Sequence, residues 1–192
     1  SGNVLVLNQT GVVSSINFGA DITVNDTITS GSGHITAIAG QNFRQNVGGD
    51  ISTDGDIGVV TRAGDLTQED GVKATSGQGN MVFVAASNML ISAVHALTGS
   101  VTLATIDGTI YDNGDTDIDL IANEVQFFAA NGGVGTDTNG VETTISRVAA
   151  LAGNGTFKIT ETDDLVIGLV NPIPVTVVEP DAGTSITNFP AL

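Results

Sequence analysis

Apolar residues fall at every second position in short runs along much of the chain. Between residues 79 and 110 the runs are Val82 with Val84, Leu90 followed by the offset pair Ile91 and Ala93, and Val101 with Leu103, each bounded by Gly, Asn, Asp or Ser. Alternation over so few residues predicts strand, turn, strand, turn, and leaves no room for a helix. Two of the runs open alike, GNMVFVA at Gly79 and GSVTLAT at Gly99. That is one small unit recurring after about 20 residues, the step at which one coil of a solenoid covers the next.

The same form, a Gly, a small or polar residue and then alternating aliphatics, opens GHITAIAG at Gly33 and GDIGVV at Gly55, so the stronger unit starts are 22, 24 and 20 residues apart. These glycines are expected to supply positive φ where the chain turns sharply. Weaker starts stand at Gly49, Gly64 and Gly71. Upstream, NVLVL at 3–7 and DITVNDTI at 21–28 read as strands, and 11–18 carries another run. Downstream, Ile118, Leu120 and Ile121 predict one strand and 125–129 another, with a tight turn at Gly132. The stretch 143–152 fits both periods. Ile145, Val148, Ala149 and Ala152 keep helical spacing, while Ser146, Val148 and Ala150 alternate, so a single helical turn covering an edge is one expectation here.

These patterns predict an all-β chain, a parallel β-solenoid with coils of roughly 20 residues spanning 1–170. The alternative is a β-sandwich, whose strands recur at similar intervals. Few aromatic wedges, no long hairpin loops, and small inward candidates at Ala37, Ala39, Ala85 and Ala104 favour the narrow interior of a solenoid. In 171–192, Pro172 and Pro174 lack the N–H a central ladder needs, so this segment is expected to be an edge strand, a cap or an exit linker.

Composition narrows the function. The 192 residues carry 25 Gly against 4 Pro, which excludes collagen, and 7 Phe, 1 Tyr and no Trp, which points to aliphatic packing. A net charge of −16 repels phosphate backbones and anionic lipid, so neither nucleic acid nor a membrane is an expected partner. No run is long enough to span a bilayer as a helix. Without Cys there is no disulfide, thiolate metal site or cysteine nucleophile. Ser1-Gly2 reads as a remnant of tag removal, which would place any export signal elsewhere.

Much of the acidity is Asp beside Gly or Asn (Asp50, Asp54, Asp56, Asp65, Asp70, Asp107, Asp112, Asp115), where a short side chain can bond its own turn. The densest cluster is Asp112, Asp115, Asp117 and Asp119, with Glu124 further on. Calcium is the one cofactor these residues suggest, and their spacing argues against it. Leu120 stands where an EF-hand requires Gly and Gln126 where it requires Glu, and alternation would line Asp115, Asp117 and Asp119 on one solvent face. GGVGTDT at 132–138 matches the opening of a calcium-binding nonapeptide, which breaks at Asn139 and has no tandem copy.

A glycan-active enzyme would require Arg44 and Arg62, on adjacent coils, beside Asp50, Asp54 and Asp65, with Tyr111 the one isolated sugar platform. His34 and His95 belong to no HExxH or second ligand set and read as strand or corner residues. No GxSxG elbow or phosphate loop is present. Asn8, Asn25 and Asn154 fit N-x-[ST]. The expectation is therefore no catalytic, cofactor or metal residue, and no enzyme.

Five segments in order, IYDNG (110–114), IAN (121–123), GGVGT (132–136), VETTISRVAALA (141–152) and FKITETDDLVIG (157–168), resemble the haemagglutinin-type repeats of large bacterial surface adhesins related to filamentous haemagglutinin. The likeness covers 99–168 in order of motifs and 33–170 in style, and the Pro-bearing tail departs from it. It implies a right-handed parallel β-helix serving as a stalk or display segment at the bacterial surface or outside the cell. Its partners would be adjoining domains of a larger exported protein and a host or bacterial surface ligand. A calcium- or carbohydrate-binding adhesin module is the alternative. The resemblance carries over no ligand-binding residue.

Overall fold

The computed structural model describes residues 2–8, 20–181, 183–188 and 192. The run expected over 11–18 lies outside them. Among the described residues there is no helix, and so none long and apolar enough to cross a membrane. Parallel strands stack into a β-solenoid of about 6 turns, each turn presenting three narrow faces.

The first face holds Val4–Asn8, Ile35–Ala39, Ile57–Thr61, Met81–Ala85 and Val101–Thr105, then the second half of Leu120–Ala129, the second half of Val141–Ala152, and Val166–Ile167. The second face holds Ile22–Val24, Phe43–Gln45, Leu66–Gln68, Met89–Ile91 and Ile110–Asp112, and continues as single bridges at Val134 and Phe157. Ile28–Thr29, Ile51–Thr53, Lys73–Ser76 and Ala93–Ala96 begin the third face, which the first halves of the two long strands and Ile159–Glu161 complete. On the first face Ile35, Ile57, Met81, Val101, Val125 and Val148 pair in one column, making the coils 22, 24, 20, 24 and 23 residues long. Each column member lies two residues after one of the glycines at 33, 55, 79 and 99 wherever that signature occurs.

Those glycines have a different cause from the one the sequence suggests. Among the described residues positive φ occurs at Gly48, Gly71, Gly114 and Gly135, so of the expected starts only the weaker one at Gly71 has it, and Gly33, Gly55, Gly79 and Gly99 do not. At Gly99 an added Cβ would lie 2.0 Å from the Gly79 carbonyl oxygen, and at Gly55 2.5 Å from that of Gly33. The glycines stack where consecutive coils touch backbone to backbone, so close approach excludes a side chain.

The side chains of the polar residues after Gly2, Gly33, Gly55 and Gly79 each bond the next coil. Asn3 Oδ1 accepts the His34 N–H (2.9 Å), His34 Nδ1 that of Asp56 (3.0 Å), Asp56 Oδ1 that of Asn80 (2.8 Å) and Asn80 Oδ1 that of Ser100 (2.9 Å). A second column climbs the next corner through Asp21, Asn42, Asp65 and Asn88 to Thr109. Asp50, Asp56 and Asp65 therefore do not bond their own turns. Each accepts a backbone N–H one coil away, satisfying donors that the turns leave outside the ladders.

Inside, Ile22, Phe43, Leu66, Met89, Ile110 and Val134 form one stack on the second face, and partly exposed Phe157 continues it, meeting Phe127 edge to face at 5.9 Å. Ala37, Ala39 and Ala85 are buried inward with that stack. Ala104 instead faces outward, alternating with inward Leu103 and Thr105, and aligns with Val84, Val60 and Ile38. Val141–Ala152 is strand throughout, in parallel register with Leu120–Ala129, and makes no helical turn. Where the chain rounds a corner, two residues intervene between inward positions. Ser146 and Arg147 separate Ile145 from Val148, as Asn123 and Glu124 separate Ala122 from Val125. That break in alternation imitates helical spacing.

After Val170 the chain leaves the coils. Pro174–Val178 and Thr184–Asn188 form an antiparallel hairpin, and its first strand lies over the outer side of the first face. Thr176 N–H donates to Asp56 Oδ2 (2.7 Å), Val178 N–H to Thr36 Oγ1 (2.9 Å), and Asn80 Nδ2 to the Pro174 carbonyl (2.8 Å). Val170, Ile173 and Val175 bury a small apolar layer against outward Val82 and Ala149. Val170 and Leu192 exchange backbone hydrogen bonds, so residue 192 returns to the end of the coils.

Candidate functional site

The corner joining the second face to the third changes form along the stack. In the lower coils a Gln at the end of the second-face strand points inward. Gln68 Nε2 donates to Gln45 Oε1 (3.1 Å) and to the Ala93 carbonyl (3.4 Å), Gln45 Nε2 donates to the Lys73 carbonyl (2.8 Å), and Gln68 Oε1 accepts the Ser92 N–H (3.1 Å). Ile91 fills the same position one coil up, and Asp112 the coil after that. Asp112 is thus an inward residue of a strand, and only 7 % of its surface remains exposed.

From Asp112 the chain makes a wide turn over 113–118, with Gly114 at φ 83°, before Asp119 opens the next strand region. Asp119 is 1 % exposed. One coil higher, Glu142 stands over it, its own N–H donating to Asp119 Oδ2 (3.0 Å). One carboxylate oxygen from each of Asp112, Asp119 and Glu142 lies within 4.8 Å of the other two, the one group of three potential metal ligands among the described residues. Asn139 Nδ2 donates to Asp112 Oδ1. Asp112 Oδ2 and Glu142 Oε2 are buried without a hydrogen-bond partner.

The electrostatics follow from that crowding. Burial pushes the Asp119 carboxyl up to about 8, and the Asp112, Glu142 and Asp115 charges push the same way, against the Glu142 N–H that favours the carboxylate. Glu142 is raised as well, first by burial and then by Asp112. Three acids without a cation repel one another, and the arrangement suits either shared protons or a bound positive ion.

The sequence expectation for this cluster is corrected in one respect and extended in another. Asp115, Asp117 and Asp119 do not share a solvent face. The segment before Asp119 is a turn, Asp115 Oδ1 caps the Asp117 N–H (2.7 Å), and these two line a shallow depression with Lys73, His95 and Ile118. Glu124 is on the far side of the third face, where it pairs with Arg147 at 3.1 Å. Glu142 and Asn139 carried no signal that tied them to Asp112, since their proximity depends on coil register. Asp137, within the nonapeptide-like stretch, accepts from Thr156 Oγ1 (2.7 Å) and lies outside the acidic cluster.

The other candidates remain separate. Arg44 reaches Glu69 on the next coil (2.5 Å), and this bond, together with the Val47 N–H, holds the Glu69 carboxyl below its usual range. Arg62 follows the first-face strand Ile57–Thr61, at a different corner. His34 belongs to the polar column described above. His95, in Ala93–Ala96, contacts the Ile118 carbonyl through Nε2 (3.1 Å), and burial lowers its pKa despite that bond. No protein-family model, no curated protein and no solved structure matches the chain.

Proposed function

We propose that the chain is a section of a solenoid stalk in a secreted or surface-exposed bacterial adhesin, and that it acts by extension and display, without catalysing a reaction. The observation that carries this reading is the unbroken column of first-face strands, which continues to Val166–Ile167 and ends there with apolar side chains uncovered. Ile167 is 79 % exposed, Leu169 65 % and Val166 50 %. A further coil of the same kind, in an adjoining part of an exported protein, is the natural cover for that end. Aliphatic stacks inside, polar columns at the corners and a strongly acidic exterior make a stiff, soluble spacer.

Electron microscopy of the whole gene product tests the reading. The expected result is a rod in which each coil adds about 4.8 Å of length, with the ligand-binding part at a distance from this segment. A compact particle without a rod, or saturable attachment of the isolated chain to cell surfaces, overturns it.

A further inference from the structure

We propose that Asp112, Asp119 and Glu142 bind one calcium ion at the corner between the second and third faces. Calcium takes oxygens at about 2.3–2.6 Å, so two ligands of the same ion stand no more than about 5 Å apart. The three carboxylates meet that condition at 4.8 Å. An acidic cluster alone would be an ordinary surface feature, but this one turns inward. Asp112 is more than nine-tenths buried, and its Oδ2 has no hydrogen-bond partner, as Glu142 Oε2 has none. A buried carboxylate oxygen left so is costly, and a cation satisfies both oxygens at once.

The surroundings support ligation. Asp112 is held through Oδ1 by Asn139 and Asp119 through Oδ2 by the Glu142 N–H, the outer-shell anchoring that orients ligating carboxylates. Among the described residues none of the three forms an ion pair with a basic side chain. Arg147 is paired with Glu124, Arg44 with Glu69, and Lys158 Nζ donates to the Asp137 carbonyl. An all-oxygen set drawn from two coils and a wide turn suits the adaptable shell of calcium, whereas magnesium demands a strict octahedron and keeps its waters.

The chain supplies its own reporter. Tyr111 is its single tyrosine, there is no tryptophan, and Tyr111 directly precedes Asp112. Terbium, a calcium substitute that luminesces when a nearby tyrosine is excited, is titrated into chelator-treated protein, and calcium is then added. The expected result is saturable luminescence at one ion per chain, displaced by calcium. Asp119→Asn and Glu142→Gln should each weaken terbium affinity at least tenfold, while Asp117→Asn, outside the cluster, leaves it unchanged. Millimolar calcium should also raise the melting temperature of the native chain by several degrees and that of Asp119→Asn by none. Weak, unsaturable luminescence that is the same in the native chain and both cluster variants, or displacement by magnesium but not by calcium, overturns the proposal. Asp119→Asn keeps an acceptor for the Glu142 N–H, and Glu142→Gln is an independent second variant, so loss of binding in both with melting preserved is not a folding effect.

Discussion

Gln45 and Gln68 occupy the inward position that Asp112 occupies higher in the same stack. The lower pair is neutral and closed, with amide donors and acceptors matched to one another and to the Lys73, Ser92 and Ala93 backbone. The upper corner puts three acids where the lower one puts two amides, and leaves two buried oxygens unmatched. The backbone architecture is shared, so the difference lies in side-chain chemistry. A closed amide ladder specifies coil register and requires nothing from solution, whereas an open carboxylate set depends on protons or a cation.

The largest effect is expected from making the lower corner resemble the upper. Gln68→Glu sets a carboxylate against Gln45 Oε1 and the Ala93 carbonyl with no further acid to complete a cation site. It should cost about 4 kcal/mol in chemical denaturation, without rescue by calcium. Rescue would show that the two corners are equivalent.

Next comes the pH dependence of the upper corner in the presence of chelator. Asp119 holds its proton to about 8 in the folded chain, against 3.8 as its ordinary value. The folded state therefore binds more protons between those limits. Its contribution to stability is complete below about pH 4 and is lost as pH rises through about 8. Melting temperature should fall from pH 6 to pH 9, and Asp119→Asn should flatten the fall. A native profile with no such decline would mean that the corner is as balanced as the Gln ladder.

Asn139→Ala removes the donor on Asp112 Oδ1 and should cost about 1 kcal/mol by the same denaturation measurement. The smallest effect belongs to Asp117→Asn, whose carboxyl is exposed. Its stability should change by no more than about 0.5 kcal/mol, which would separate the cluster from the acidic surface around it.

Legibility in the sequence divides along similar lines. Gly33, Gly55, Gly79 and Gly99 mark the coil starts because each must let the coil below approach, and the polar residue after each must bond a neighbouring coil. Such local requirements recur at every step and leave a repeated signature. Their cause was less legible, since a glycine chosen for contact looks the same in sequence as one chosen for positive φ. The acidic corner was legible only on one coil. Asp112 and Asp119 stand out as acids, but Glu142 reaches them through register, and period-two reasoning fails across a turn such as 113–118. The helical spacing at Ile145 and Val148 misleads for a related reason, because a corner inserts residues between inward positions.

The returning tail bears on how the molecule comes apart. In a stack where each coil touches only its neighbours, the ends can fray independently and melting spreads over many partly unravelled forms. Here Thr176 and Val178 bond to residues 120 and 142 positions earlier in the chain, and Asn80 reaches Pro174 across 94. Loosening the first coils therefore releases the hairpin, which is continuous with the segment of Val170 and Ile173 that packs against Ala149 on a later coil. The strap gives a nearest-neighbour array the cooperativity of a globule.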